Sequence, residues 1–255
     1  MDITLFLTGL AAFMAGFIDA IVGGGGLVQA PAMFILYPQM PVLAVIGTNR
    51  VSSFSGTLMA GYQYARKVAL PWRVIGFACM GAGIAAYVGA QYASYLPEKQ
   101  LKTVLFVVMA VLAIYTVLNK NMGQHTTNIQ ETPTLWLKSF LLGIVLGFYN
   151  GFVGPGTGTL LVFGFVMWLR FNFLEGSGIA KFVNVAADVS SLVFFIVKGL
   201  ILFQLALPML VCNVLGSYIG SRLAVLKGST FIRLMFIVIV LGLMCRFAYD
   251  LFLKY

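Results

Sequence analysis

Four ionisable side chains stand inside otherwise apolar stretches of this 255-residue chain: Asp19, Arg50, Lys181 and Asp188. A lysine or arginine at the centre of a bilayer costs roughly 2.5–3.5 kcal/mol, so such residues are functional candidates by default. Arg50 closes Gly47-Thr48-Asn49-Arg50, and Lys181 closes Gly178-Ile179-Ala180-Lys181. Arginine offers an oxyanion a planar fork and lysine a compact charge. Turned inward, both heads would hold an anionic substrate. Near a segment start, each would instead reach back to the interface. Polar neighbours favour the inward placement. Asn49, Ser52, Ser53 and Ser55 flank Arg50, and Asn184 and Asp188 follow Lys181 on the same helical face. Asn184 would donate to an oxyanion. Asp188 would balance Lys181 in the empty site or take a proton; a purely structural ion pair is an equal alternative.

The second source of chemistry is backbone. Gly23-Gly24-Gly25-Gly26 has no side chains to block close approach. Its N–H groups and the start of the next segment would face one point, and free N–H groups at a helix N-terminus bind anions. The loop has an echo. Gly16-Phe17-Ile18-Asp19-Ala20-Ile21-Val22-Gly23-Gly24-Gly25-Gly26 returns as Gly147-Phe148-Tyr149-Asn150-Gly151-Phe152-Val153-Gly154-Pro155-Gly156-Thr157, followed by Gly158, at an offset of 131 residues. The same offset pairs Gly47 with Gly178, Arg50 with Lys181, Lys67 with Lys198, Gly89 with Gly220 and Lys102 with Arg233. A glycine-broken segment at matched positions of a duplicated apolar chain points to a transporter binding site. The competing reading is that the glycines only let helices pack closely. Asp19 and Asn150 precede the loops at matched sites. Either would cap loop N–H groups, and Asp19 would alternatively carry a coupled proton. Gln29, just past the first loop, is a weaker candidate.

The elements that hold these residues belong in lipid. The chain is 61% hydrophobic and 9% charged, with mean hydropathy +0.99. Soluble domains carry about 25% charged residues. The net charge of +9 comes from single basic residues at the ends of apolar runs, which argues against nucleic acid as a partner. Cys79, Cys212 and Cys245 lie in apolar runs without C-x-x-C spacing and read as packing residues. The one histidine, His125, lies in a polar stretch, so no histidine metal site is expected. No nucleophile–base pair or nucleotide loop is present, and neither an enzyme nor a bound cofactor is expected. The first apolar run reads as a retained helix rather than a cleaved signal.

Ten apolar segments are predicted as helices, because the runs are long and unalternating. They cover roughly 3–22, 27–37, 42–64, 71–94 and 98–119, then 134–153, 158–170, 174–197, 202–224 and 229–252. Segments 27–37 and 158–170 are too short to cross: at ~1.5 Å per residue the first reaches about 16 Å of a ~30 Å hydrocarbon core. Each would form a re-entrant-like hairpin with its glycine loop. The expected organisation is a first transmembrane repeat over 1–118, a polar linker over 119–133 and a second repeat over 134–255. Arg66, Lys67 and Arg73 make one basic loop and Arg222, Lys227 and Arg233 another. Both in the cytoplasm, they place the repeats in opposite orientation, with both termini outside and the glycine tips meeting at mid-membrane.

The run at 15–26, Pro31, the cluster Gly47-Thr48-Asn49-Arg50 and the echo at 147–158 resemble the TauE/SafE sulfite-exporter family over nearly the whole chain. The resemblance is closest to its bacterial inner-membrane permease branch. It implies a multi-pass transporter of sulfite, sulfoacetate or other sulfur-containing anions. It also implies substrate contacts from Gly23 to Gly26, from Gly154, Gly156 and Gly158, and from Asn49, Arg50, Lys181 and Asn184. Asp19 and Asp188 remain for coupling or charge balance. Arg50 stands where relatives often have lysine, and Asn150 where close relatives often have aspartate, which weakens any scheme with a proton on both halves. The expectation is an all-α membrane protein carrying a small anion by alternating access in a bacterial inner membrane, as monomer or homodimer. An anion channel and a membrane-embedded sulfur-relay component are the alternatives.

Overall fold

The structure, a computed structural model, describes residues 3–101, 103, 107 and 132–252. Most of the expected segment 98–119 and of the 119–133 linker, with His125, lies outside the described residues.

The described elements are helices. They are α1 (Ile3–Val22), α2 (Gly26–Leu36), α3 (Val42–Lys67), α4 (Trp72–Tyr95), α5 (Pro133–Phe152), α6 (Thr157–Phe163), α7 (Phe173–Val197) and α8 (Phe203–Phe252). A π-helical turn, Gly164–Trp168, extends α6. Gly228, at φ 72°, breaks α8. Local sequence explains the boundaries. α1 stops at Gly23, whose φ of 84° lies in the left-handed region that glycine adopts without penalty. Pro41 and Pro71 immediately precede α3 and α4. The Thr132 hydroxyl accepts from Leu135 N–H, and Asn172 accepts from Glu175 N–H, capping α5 and α7.

Among the described residues, five helices are long and apolar enough to cross a membrane: α1, α4, α5, α7 and the first part of α8 (Phe203–Ile232). They turn large apolar side chains outward, among them Phe6, Ile84, Val145, Val193 and Leu215. A lipid-facing surface requires this, since no water is there to reward polar groups. α3 is not among the five although it has 26 residues. Thr48, Asn49, Arg50, Ser52 and Thr57 lower its hydropathy, and all five are buried. α3 is polar because it faces the protein interior.

Packing follows the 131-residue offset. α1 lies against α8, and α4 against α5. A Cβ at Gly16 would strike the Asn213 backbone, and one at Gly147 the Ala82 backbone; Ala82 is the offset mate of Asn213. Gly220 abuts the Phe17 carbonyl and Gly89 the Phe148 carbonyl, again offset mates. Small residues permit such backbone approach in membrane bundles.

Candidate functional site

The glycine loops meet. A Cβ at Gly23 would collide with the Gly158 carbonyl, and one at Gly158 with Gly23. Gly26 packs on Pro155. Gly23 and Gly154, offset mates, share the left-handed backbone at φ 84° and 90°. Around this junction lies a cavity. Of the residues singled out in the sequence, Asp19, Gly23, Gly26, Asn49, Arg50, Gly154, Gly156, Gly158, Asn184 and Asp188 line it. Gly24, Gly25 and Lys181 do not. Gly25 serves packing, pressed on the Ala15 carbonyl of α1.

Both cations turn inward rather than to an interface. Arg50 is 3% exposed and Lys181 1%. Each reaches across to the residue that precedes the other repeat's glycine loop. Lys181 Nζ donates to the backbone carbonyl of Asp19 and lies 3.3 Å from its Oδ2. Arg50 donates through Nη2 to the backbone carbonyl of Asn150 and through Nη1 to its side-chain oxygen. Arg50 and Lys181 are offset mates, as are Asn150 and Asp19, so the two grips are one construction used twice.

The carboxylates differ. In the Lys181 cluster the acid is Asp19, and Thr57 Oγ1 donates to its Oδ2 at 3.0 Å. In the Arg50 cluster the acid is Asp188, the offset mate of Thr57. Arg50 Nη1 lies 3.1 Å from its Oδ1. Asn150 Nδ2 donates to the same oxygen at 3.0 Å, and Asn184 Nδ2 to Oδ2 at 3.2 Å. This corrects one sequence expectation. Asp188 balances Arg50, and Asp19 balances Lys181, because the helices cross and sequence neighbours on α7 point to different clusters. It also corrects the picture of a positive pocket. Two cations and two carboxylates make the buried set neutral.

Two polar atoms in the cavity wall have no partner: Arg50 Nε and Asn49 Oδ1. A buried polar atom without a partner is costly unless a ligand or water meets it. Gly154 lets the guanidinium in, since a Cβ there would sit 3.1 Å from Nη2. The Phe195 ring covers another side of the guanidinium, 5.5 Å from its carbon.

Sequence reasoning missed Thr57, the hydroxyl that orients Asp19; moving Asp188 back by the repeat offset would have found it. Gln29, the weaker candidate, enters a separate buried network. Its Nε2 donates to Ser52 Oγ at 2.9 Å, and it accepts from Asn213 Nδ2 at 3.2 Å. The offset mates of Gln29, Ser52 and Asn213 are Leu160, Val183 and Ala82, so this network has no polar counterpart at the matched positions.

These features define the class: a multi-pass helical membrane protein with a cavity where two glycine loops meet. The family model described as "Sulfite exporter TauE/SafE" matches residues 8–247. The chain belongs to the TauE/SafE sulfite exporter family. It is 34% identical to "Probable membrane transporter protein ORF9" from a Sinorhizobium species, over 94% of this chain and 91% of that one. Identity to a "Probable membrane transporter protein" of Haemophilus influenzae is 30%, over 98% of both chains. Identity to "Probable membrane transporter protein YfcA" of Escherichia coli K12 is 28%, over 94% and 87%. No solved structure matches the chain at a significant level.

Proposed function

We propose that the chain is a secondary carrier of a small anion, a sulfur oxyanion or organosulfonate, across a bacterial inner membrane. The observation that carries this is the buried, unpartnered N–H of Arg50, a residue lining the cavity between two glycine loops. An oxyanion would accept from Nε and from loop N–H groups, with Asn49 and Asn184 at its side. The reciprocal helix contacts support a two-fold relation between the halves, and the basic loops favour an axis in the membrane plane. Access to the cavity would alternate as one half rocks on the other. Lys181, sealed behind Asp19, holds the first loop in place and does not touch the substrate.

A melting screen of the purified protein tests the substrate class. Sulfite, thiosulfate, sulfoacetate or taurine should raise the melting temperature above that in chloride at equal ionic strength, because a ligand bound only by the folded state stabilises it. No shift with any of them would contradict the reading.

A further inference from the structure

The four buried charges in and behind the cavity wall sum to zero, and that constrains what can enter it. Arg50 is matched by Asp188, and Lys181 by Asp19, all of them 8% exposed or less. Few other charges are near. The only charge on α4, Arg73, lies over the Trp136 ring. The only one on α5, Lys138, lies roughly three turns before Asn150. α2 has none. An anion bound beside Arg50 would therefore leave one buried negative charge without a partner, which proteins avoid by neutralising a group.

The two clusters differ in which cation an anion in the cavity can reach. The Lys181 ammonium lies outside the cavity wall, so its hold on Asp19 is not open to competition. Arg50 and Asp188 both line the cavity, and the buried Nε N–H of Arg50 has no partner in the protein. An anion taking the guanidinium competes directly with Asp188. Asn150, Asn184 and Ser53 already surround the Asp188 oxygens, and each can either donate to a carboxylate or accept from a carboxylic acid.

We propose that the anion binds together with one proton, taken up by Asp188 as its carboxylate yields Arg50, so that a monoanion and a proton move as a neutral pair. The proton comes from water on the side to which the cavity is open. One O–H bond forms on Asp188, Arg50 keeps its charge, and the proton leaves when the anion does. This rests on the anion-carrier reading and adds its coupling.

The test is binding of methanesulfonate, a monoanion at every accessible pH, to the intact protein in detergent. Titration calorimetry in two buffers of different ionisation enthalpy should show one proton taken up per anion. The dissociation constant should rise with pH, approaching tenfold per unit where a full proton is taken up with the anion. Asp188→Asn, an isostere of the protonated acid, should remove that slope and the proton uptake. Tight binding without a pH slope, or binding that depends on sodium instead, would overturn the coupling and leave the anion site standing. A slope that survives in Asp188→Asn would overturn the assignment to this residue. No methanesulfonate binding at any pH would remove both the sulfonate reading and the coupling.

Discussion

In the cluster around Lys181 the acid precedes the glycine loop, as Asp19, and a threonine stands opposite on α3. In the cluster around Arg50 an amide precedes the loop, as Asn150, and the acid stands opposite on α7, as Asp188. The cation, the backbone carbonyl it grips and the helix crossing are the same in both. What differs is where the negative charge sits and whether the cation faces the cavity. Charge neutrality is thus kept in each half while its location moves. A buried pair need not stabilise a fold, but removing one partner is strongly destabilising. The closed cluster reads as a clasp, and the open one as the place where an anion is exchanged.

The sharpest way to break this comparison is to neutralise each pair as a unit. Arg50→Met with Asp188→Asn should fold and lose anion exchange by about 100-fold or more, the scale of an oxyanion losing its charged donor. Lys181→Met with Asp19→Asn should keep exchange within about tenfold of wild type, since removing a cation that touches no substrate leaves the transported anion's contacts in place. Initial rates in proteoliposomes decide it. Equal losses would erase the distinction.

Single changes come next. Lys181→Ala strands the Asp19 carboxylate and should cost about 3–5 kcal/mol of stability, read from melting in detergent. A smaller effect sharpens the idea that the charge can move. Asp188→Thr alone strands Arg50, and adding Asn150→Asp rebuilds the arrangement of the other half. The double variant should recover about 2 kcal/mol or more of the loss. No recovery would mean that the two clusters are not interchangeable.

The smallest contrast lies between neighbouring glycines. Gly23→Ala places a Cβ against the Gly158 carbonyl on a left-handed backbone, and should cost about 1–3 kcal/mol. Gly24→Ala meets Thr159 Oγ1 at 3.2 Å and otherwise only ordinary contacts with Ile18 and Leu27, and should stay within about 0.5 kcal/mol of wild type. Melting temperatures of the two variants check both.

Much of this was legible in the sequence. The short helix after each glycine loop and most helix boundaries follow from glycine spacing, apolar run length and proline position. α3 was read as a segment like the others, yet its polar face already marked it as interior. The pairing of charges was not legible. Asp188 lies on the same face of α7 as Lys181, and helical periodicity ties the two together. Only the crossing of α3, α5 and α7 separates them, and no local pattern encodes that crossing. The repeat offset does carry a trace of it: Asp19 and Asp188 are not mates, so each half lacks the acid that the other has. The role of the glycines was half legible. Gly25 and Gly16 pack against backbone, while Gly154 and Gly158 combine close approach with a place in the cavity wall.

Counterflow in proteoliposomes tests the central claim most directly. Vesicles loaded with unlabelled sulfite and placed in a trace of radiolabelled sulfite should accumulate label transiently above equilibrium. The Arg50→Met, Asp188→Asn protein should show no such overshoot. Label that merely equilibrates in the wild type, or an undiminished overshoot in the variant, would contradict a carrier that exchanges its anion at the Arg50 cluster.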